Sequence, residues 1–396
     1  MILRSHYIDQ IRPFFESDLI KVITGIRRCG KSVILSQIAE EFRSAGQSVL
    51  YINFEQIEYS SMIPDALSLT AYVKARIPDG QKLYVFLDEV QLVEDWNIAC
   101  RSLRLENISL FITGSNSRLL SKEFTKELSG RYVSFCIRPF VYKEICEYAR
   151  ELGKTYSIPD YLAYGGFPKV IELPDRESVI QYLNDLNQTI VVNDILNRYR
   201  IGKSELFKRL TNYILVSNAR IFSANSVQNY LQSEKLQCSI NTVMKYLSYL
   251  EEAYVIRKVP QYSTRAKREL AFFAKLYDED VSFNTIRQHN GRFDLTHNLE
   301  NVVYNELIYM GYEVSVYTKN NREIDFLSRK NGKEYLVQVA YSVSEESTYE
   351  REFALFNILD QSRKKILITN DDFDYSTSTV QHLSLQKFLG MDTLEA

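Results

Sequence analysis

The chain has little of what several large function classes require. Its four histidines (6, 289, 297 and 382) and five cysteines (29, 100, 136, 146 and 238) form no CxxC pair and no metal-ligand spacing. That argues against a zinc module or a dithiol redox motif. An odd cysteine count suits a reducing compartment, so a cytoplasmic location is expected. No apolar run approaches the roughly 18 residues that a membrane span needs. The opening stretch "MILRSHYIDQIRPFF" has no long apolar segment and no cleavage site, so no secretory leader is expected. Charge of one sign is also missing: a formal net charge of −2 neither demands nor excludes nucleic acid. What remains is a globular composition, 45% hydrophobic and 25% charged over 396 residues, long enough for two or three domains.

The first third alternates short β-branched runs with helical patterns. "LIKVITG", "SVLYINFE", "KLYVFLDE", "ISLFITGS" and "RYVSFCIR" have the length and residue types of strands. Segments such as "GKSVILSQIAEEFRSAG" repeat apolar residues at three- and four-residue spacing. Repeated βα units imply an α/β fold, a parallel sheet with helices on both faces.

The first run ends in "GIRRCGKS", which fits GxxxxGK[ST] without a gap. Gly25 and Gly30 let the backbone curl so that amide N–H groups point at phosphate. The loop Gly25, Ile26, Arg27, Arg28, Cys29, Gly30, Lys31 and Ser32 is the expected nucleotide cradle, with Arg27, Arg28 and Cys29 at positions the pattern leaves open. Lys31 reaches the β- and γ-phosphates and Ser32 can coordinate Mg²⁺. "LYVFLDEVQ" carries Asp88 to the carboxyl end of a buried strand, where it would hold Mg²⁺ through water. Glu89 beside it can take the proton of an attacking water. In "FITGSNSRLL", Ser115 or Asn116 could orient that water. Arg131 in "LSGRYVSF" could act as an arginine finger, in cis or from a neighbouring subunit.

Taken together, "GIRRCGKS", "FLDEVQLVEDW", "FITGSNSRLLS", "LSGRYVSFCIRPF" and "YLAYGGFPKVI" resemble the prokaryotic AAA-type (AAA+) P-loop ATPases fused to a C-terminal domain of unknown function. The resemblance spans nearly the whole chain and implies the P-loop NTPase fold with ATP as ligand. Ile26 departs from it, since relatives often carry proline there.

After Pro139 the pattern turns helical, and "YLAYGGFPKVIELPD" holds the densest turn signal in the chain. Helices that follow an ATPase core normally act as a lid over the nucleotide. "SELFKRLTNYILVSN", "SANSVQNYLQSEK" and "SINTVMKYLSYLEEA" read as three helices, followed by two strands, the order of a winged helix-turn-helix. Lys245 on the third helix, with Arg265, Lys267 and Arg268 in the turn between the strands, would be the phosphate contacts. Glu251 and Glu252 would oppose them, and such modules also dock proteins.

Residues 297–370 run helix, three strands, helix, strand, a succession that resembles the restriction-endonuclease-like PD-(D/E)xK core. Position by position, that resemblance gives Glu300 the helix acid and Asp325 the strand acid. Gln338 then falls where a second acid belongs and Ala340 where the lysine belongs. Glu323 shares a face with Asp325, whereas Lys333 lies too far back to substitute. The expectation is a nuclease-shaped but disabled domain.

The expected organisation is a P-loop ATPase core over 1–138, a helical lid over 139–204, a winged helix over 205–280 and a nuclease-like domain over 281–396. Three functions compete: an ATP-hydrolysing, Mg²⁺-dependent switch, an ATP-gated DNA nuclease using Glu300 and Asp325, and a non-catalytic adaptor. DNA, a protein partner and a second copy of the chain are the expected macromolecular partners.

Overall fold

The computed structural model describes residues 2–114, 128, 130–262, 274–287, 294–319, 322–357 and 362–395, with backbone alone at 191–193. It divides into two compact units, Met1–Pro139 and Phe140–Ala396.

The first unit is built on five strands: β1 (Ile20–Thr24), β2 (Ser48–Asn53), β3 (Leu83–Asp88), β4 (Ile108–Thr113) and β5 (Tyr132–Cys136). All pair in parallel, in the order β2-β3-β4-β1-β5. Parallel strands need helical crossovers, which cover both faces, and β1, β3 and β4 are accordingly buried throughout. The helices are α1 (Ser5–Ile11), α2 (Lys31–Ser44), α3 (Ile57–Met62), α4 (Ala66–Lys74) and α5 (Trp96–Leu103). Strand alternation makes the two faces unlike. Val85, Leu87, Leu110 and Ile112 pack with Leu69 and Val73 of α4 and Ala99 and Leu103 of α5. The other face is aromatic: Phe86 stacks on Phe111 at 4.6 Å, and Phe42 of α2 stacks on Tyr84 at 3.9 Å.

That second face decides where the chemistry goes. Asp88 follows Tyr84 and Phe86 at two-residue steps, so its carboxylate emerges on the α2 side. Thr113 follows Phe111 in the same way, and Tyr51 of β2 lies over Phe86 with centroids 6.3 Å apart.

The second unit opens with α6 (Tyr142–Glu151), α7 (Ile158–Tyr164), α8 (Lys169–Glu172), α9 (Arg176–Asn187) and α10 (Ile195–Arg198). The amphipathic pattern of "SVIQYLNDLNQTIVVNDILNRY" is helical throughout, with a π-helical stretch at Gln188–Asp194 joining α9 to α10. Next come α11 (Ser204–Val216), β6 (Arg220–Phe222), α12 (Ala224–Ser233), α13 (Ile240–Glu252), β7 (Ile256–Pro260) and β8 (Ala274–Asp278). β6, β8 and β7 form an antiparallel sheet in that order. Each of α12 and α13 starts on a serine cap: Ser223 accepts from the Ser226 N–H and Ser239 from the Thr242 N–H.

After α14 (Ser282–Thr285), α15 (Leu295–Tyr309) leads into β9 (Glu313–Lys319), β10 (Arg322–Lys330) and β11 (Lys333–Val339). α16 (Glu346–Asn357), β12 (Lys364–Thr369), β13 (Val380–Ser384) and α17 (Leu385–Leu389) complete the chain. The sheet order is β13-β12-β11-β10-β9, antiparallel from β9 to β11 and parallel from β11 to β13. Its core joins Leu327, Leu336 and Leu367 to Phe353 and Phe356 of α16.

"YGGF" does more than turn the chain. Gly165 has φ +70°, and a Cβ there would sit 1.8 Å from Oδ1 of Asp280. The Gly166 N–H donates to Oδ2 of the same buried carboxylate at 2.8 Å, and the Ser282 N–H donates to Oδ1.

Candidate functional site

β1 delivers the glycine-rich loop to the carboxyl edge of the parallel sheet, and α2 starts at Lys31, the loop's seventh residue. Gly25 (φ +136°) has no room for a side chain, since a Cβ would meet the Ile137 carbonyl oxygen at 2.0 Å. Gly30 has φ +97° and forms the entry to α2. Ile26 and Cys29 are buried, and Arg28 adopts φ +67°. The Lys31 ammonium is also buried and donates to the carbonyl oxygens of Gly25 at 3.2 Å and Ile26 at 2.9 Å.

Ser32 and Asp88, 56 residues apart, meet at 3.0 Å, the Ser32 hydroxyl donating to Oδ1. Two hydroxyls that the sequence reading did not single out join them. Thr113 Oγ1 donates to Oδ1 and Tyr51 donates to Oδ2 at 3.1 Å. Burial, together with the Asp88 charge, drives the Tyr51 hydroxyl far above the usual phenol range, so it stays a donor. Glu89 turns off the end of β3 with φ +55°, a conformation uncommon for a residue with a side chain. Its N–H donates to Thr113 Oγ1 at 3.2 Å and its Oε2 accepts from the Gln91 amide. A hydroxyl and a carboxylate side by side are oxygen donors of the kind Mg²⁺ takes, and the cramped glycine loop with its lysine fits a phosphate chain.

The structure therefore brings together Gly25–Ser32, Asp88 and Glu89. It does not bring Arg131 to them. Its carbonyl accepts from the Ile20 N–H at the start of β1. Five residue steps of β5 separate it from Cys136, which pairs with Thr24 beside the loop, a span of roughly 16 Å. The reading of Arg131 as a finger acting in cis is corrected by that placement. Ser115 and Asn116 lie outside the described residues.

Residues 17–146 match an AAA domain family, and residues 155–286 and 296–388 match two domains of unknown function, DUF8612 and DUF4143. An uncharacterized protein of Haemophilus influenzae is 36% identical over 390 residues, covering 94% of each chain. One of Methanocaldococcus jannaschii is 30% identical over 377 residues, covering 89% of this chain and 82% of its own. The chain belongs to their family of AAA-domain proteins. Among solved structures, a Walker-type ATPase of Pyrococcus abyssi covers 72% of this chain and 95% of its own at 14% identity and TM-score 0.48. The replication initiator DnaA bound to AMPPCP and single-stranded DNA covers 62% and 86% at 16% identity and TM-score 0.33.

Outside the AAA domain, α15, β10 and β8 converge on a second cluster. Lys275 Nζ lies 2.8 Å from Oε1 of Glu300, 2.5 Å from Oε1 of Glu323 and 3.2 Å from Oδ1 of Asp325. Lys275, Glu300 and Asp325 are buried. Burial alone would depress the ammonium, but Asp325, Glu300 and Glu323 outweigh it and raise it above its ordinary value. Burial and the Asp325 charge push the Glu300 carboxyl up to about 8, against the pull of Lys275. The Tyr277 hydroxyl donates to Glu300 at 2.6 Å. Gln338 accepts from the Asp325 N–H at 3.3 Å and donates to Glu352 at 3.0 Å. Lys333 faces elsewhere, paired with Glu395 at 2.7 Å. Among the described residues, no group of three or more His, Cys, Asp or Glu is arranged to hold a metal ion.

On α13, Lys245 is exposed and lines a cavity of about 700 Å³ with Lys203, Gln228, Gln232 and Thr242. Tyr249, one turn further along α13, is stacked on Tyr199 at 3.5 Å. Arg265, Lys267 and Arg268 lie outside the described residues. No helix among the described residues is long and apolar enough to cross a membrane.

Proposed function

We propose that the chain is an ATP-hydrolysing switch whose AAA domain drives rearrangement of the helical and C-terminal parts. The observation that carries the reading is the Ser32–Asp88 hydrogen bond, which joins the phosphate loop to the acid at the end of β3. Gly25–Ser32 would hold the phosphates through backbone N–H groups and the dipole of α2. Lys31, within reach of two loop carbonyls, would exchange them for β- and γ-phosphate oxygens. Ser32 and Asp88 would hold Mg²⁺, whose charge offsets that on the phosphates. Glu89 takes the proton from the attacking water, and Thr113, bonded to both Asp88 and the Glu89 backbone, fixes the two acids relative to one another. Any contribution of Arg131 to turnover is then made in trans, in an oligomer. The segment 139–204 is the proposed lid.

For the C-terminal part, the reading is a winged helix (205–280) followed by a nuclease-shaped, inert domain (281–396). The three helices with an antiparallel sheet, and then the helix–three strands–helix–strand order, support it. Lys275 supports the inertness: its ammonium stands amid the three acids that would otherwise face a divalent ion. DNA is the proposed partner of the winged helix, through Lys245 and the segment carrying Arg265, Lys267 and Arg268. Steady-state ATP turnover with and without duplex DNA tests the coupling. Stimulation by DNA supports it, and indifference to DNA removes DNA as the partner.

A further inference from the structure

We infer that Arg4, ahead of the AAA match, is a positioning residue of the phosphate loop. Arg4 is only 2% exposed, a costly place for a guanidinium unless its donors are met. Nη1 donates to the Cys29 carbonyl at 2.9 Å and to the Arg138 carbonyl at 3.0 Å. The guanidinium also lies over the Tyr7 ring at 4.6 Å. The Tyr7 oxygen in turn accepts from the Arg138 N–H at 3.3 Å.

The consequence lies in the peptide plane. The Cys29 carbonyl and the Gly30 N–H belong to one trans peptide, and in a trans peptide they point in opposite directions. Holding the carbonyl from behind therefore turns the Gly30 N–H away from Arg4, towards the concave side of the loop where phosphate binds. The same side chain ties the loop to the Ile137–Arg138 segment. That segment already braces it, since Ile137 donates its N–H to Thr24 at 2.8 Å and its carbonyl accepts from Cys29 Sγ at 3.3 Å. Arg4 is itself anchored: its N–H donates to Gln37 Oε1 of α2, and Gln37 Nε2 donates to the Ile2 carbonyl. One guanidinium thus fixes a loop carbonyl, the chain leaving β5 and, through its own backbone, the helix that follows the loop. Both bonds come from one nitrogen, so a lysine can offer its ammonium to the same carbonyls, but it lacks the planar guanidinium that lies over the Tyr7 ring.

The inference deepens the nucleotide reading and rests on it. The test measures binding of ATP and of inorganic tripolyphosphate to the full-length wild type, Arg4→Gln and Arg4→Lys, alongside the unfolding midpoint of each nucleotide-free protein. Losing a charge-assisted hydrogen bond predicts affinity about ten-fold weaker for Arg4→Gln, by the same factor for both ligands, and a smaller loss for Arg4→Lys. Equal factors with an unchanged unfolding midpoint place the loss in the phosphate cradle. A smaller folded fraction would also weaken both ligands equally but would lower the midpoint. Wild-type affinity in a folded Arg4→Gln, or in Arg4→Lys if the glutamine variant does not fold, would overturn the inference. Failure of the wild type to bind either ligand would instead overturn the nucleotide reading, and this inference with it.

Discussion

Lys275 and Glu300 meet at 2.8 Å, a strand residue of the small antiparallel sheet against a residue of α15, the helix that leads into β9. With Glu323 and Asp325 on the same ammonium, the pair fixes β8 to α15 and β10. Removing one partner of a buried ion pair strands the other, at a cost of about 3–5 kcal/mol. Lys275→Ala is therefore expected to lower the unfolding midpoint of the C-terminal unit without producing DNA cleavage. Adding Glu300→Gln and Asp325→Asn should recover part of the loss. An unchanged midpoint in Lys275→Ala would contradict the role given to the ammonium.

Gly165→Ala is expected to destabilise the chain by more than about 1 kcal/mol, since it combines a positive φ with a backbone site that cannot accept a side chain. The added carbon would displace the Asp280 carboxylate from its backbone donors. Denaturant melts of Gly165→Ala and Gly153→Ala separate the causes. Gly153 shares the positive φ but has nothing within 4 Å of an added Cβ, and so should lose less.

Lys21 supplies a pH dependence. Burial, with help from the Lys82 charge, lowers its ammonium from 10.5 to about 7. Between those values the unfolded chain binds more protons than the folded one, so this group makes stability rise with pH through that window. Lys21→Met should be more stable than the wild type near pH 7, with the gap closing as pH approaches 10. Thermal melts of both proteins across that range check the sign, and a gap that widens would contradict it.

Thr113 touches both acids of the nucleotide site. Thr113→Val keeps the shape but removes the hydroxyl, leaving the Glu89 N–H without that acceptor. We expect turnover to fall by about ten-fold or more with ATP affinity nearly unchanged, as for a lost hydrogen bond that orients a catalytic group. A loss of affinity with normal turnover would instead make Thr113 a binding residue.

The parallel sheet was legible because β-branched runs and 3.6-residue patterns alternate, and Gly25–Ser32 because its spacing leaves little else to do. Asp88 was readable from its place at the end of an apolar run. Tyr51 and Thr113 were not, since each lies inside an ordinary strand pattern and gains meaning only when the strand order brings it to the α2 face. Arg4 contacts Cys29 and Arg138 across 25 and 134 residues of chain, and Lys275 contacts Asp325 across 50. No local spacing encodes such meetings. The resemblance puts the missing lysine on the strand "LVQVA", whereas the cation arrives from β8. Cis action by Arg131 could have been set aside from the sequence, because all strands of a parallel sheet start at the edge opposite the phosphate loop.

The most direct test of the nucleotide site measures ATP binding and steady-state hydrolysis by the wild type and Glu89→Gln. The expected result is equal affinity for ATP with turnover in the wild type alone. Hydrolysis by Glu89→Gln at the wild-type rate would contradict the assignment of Glu89 as the base.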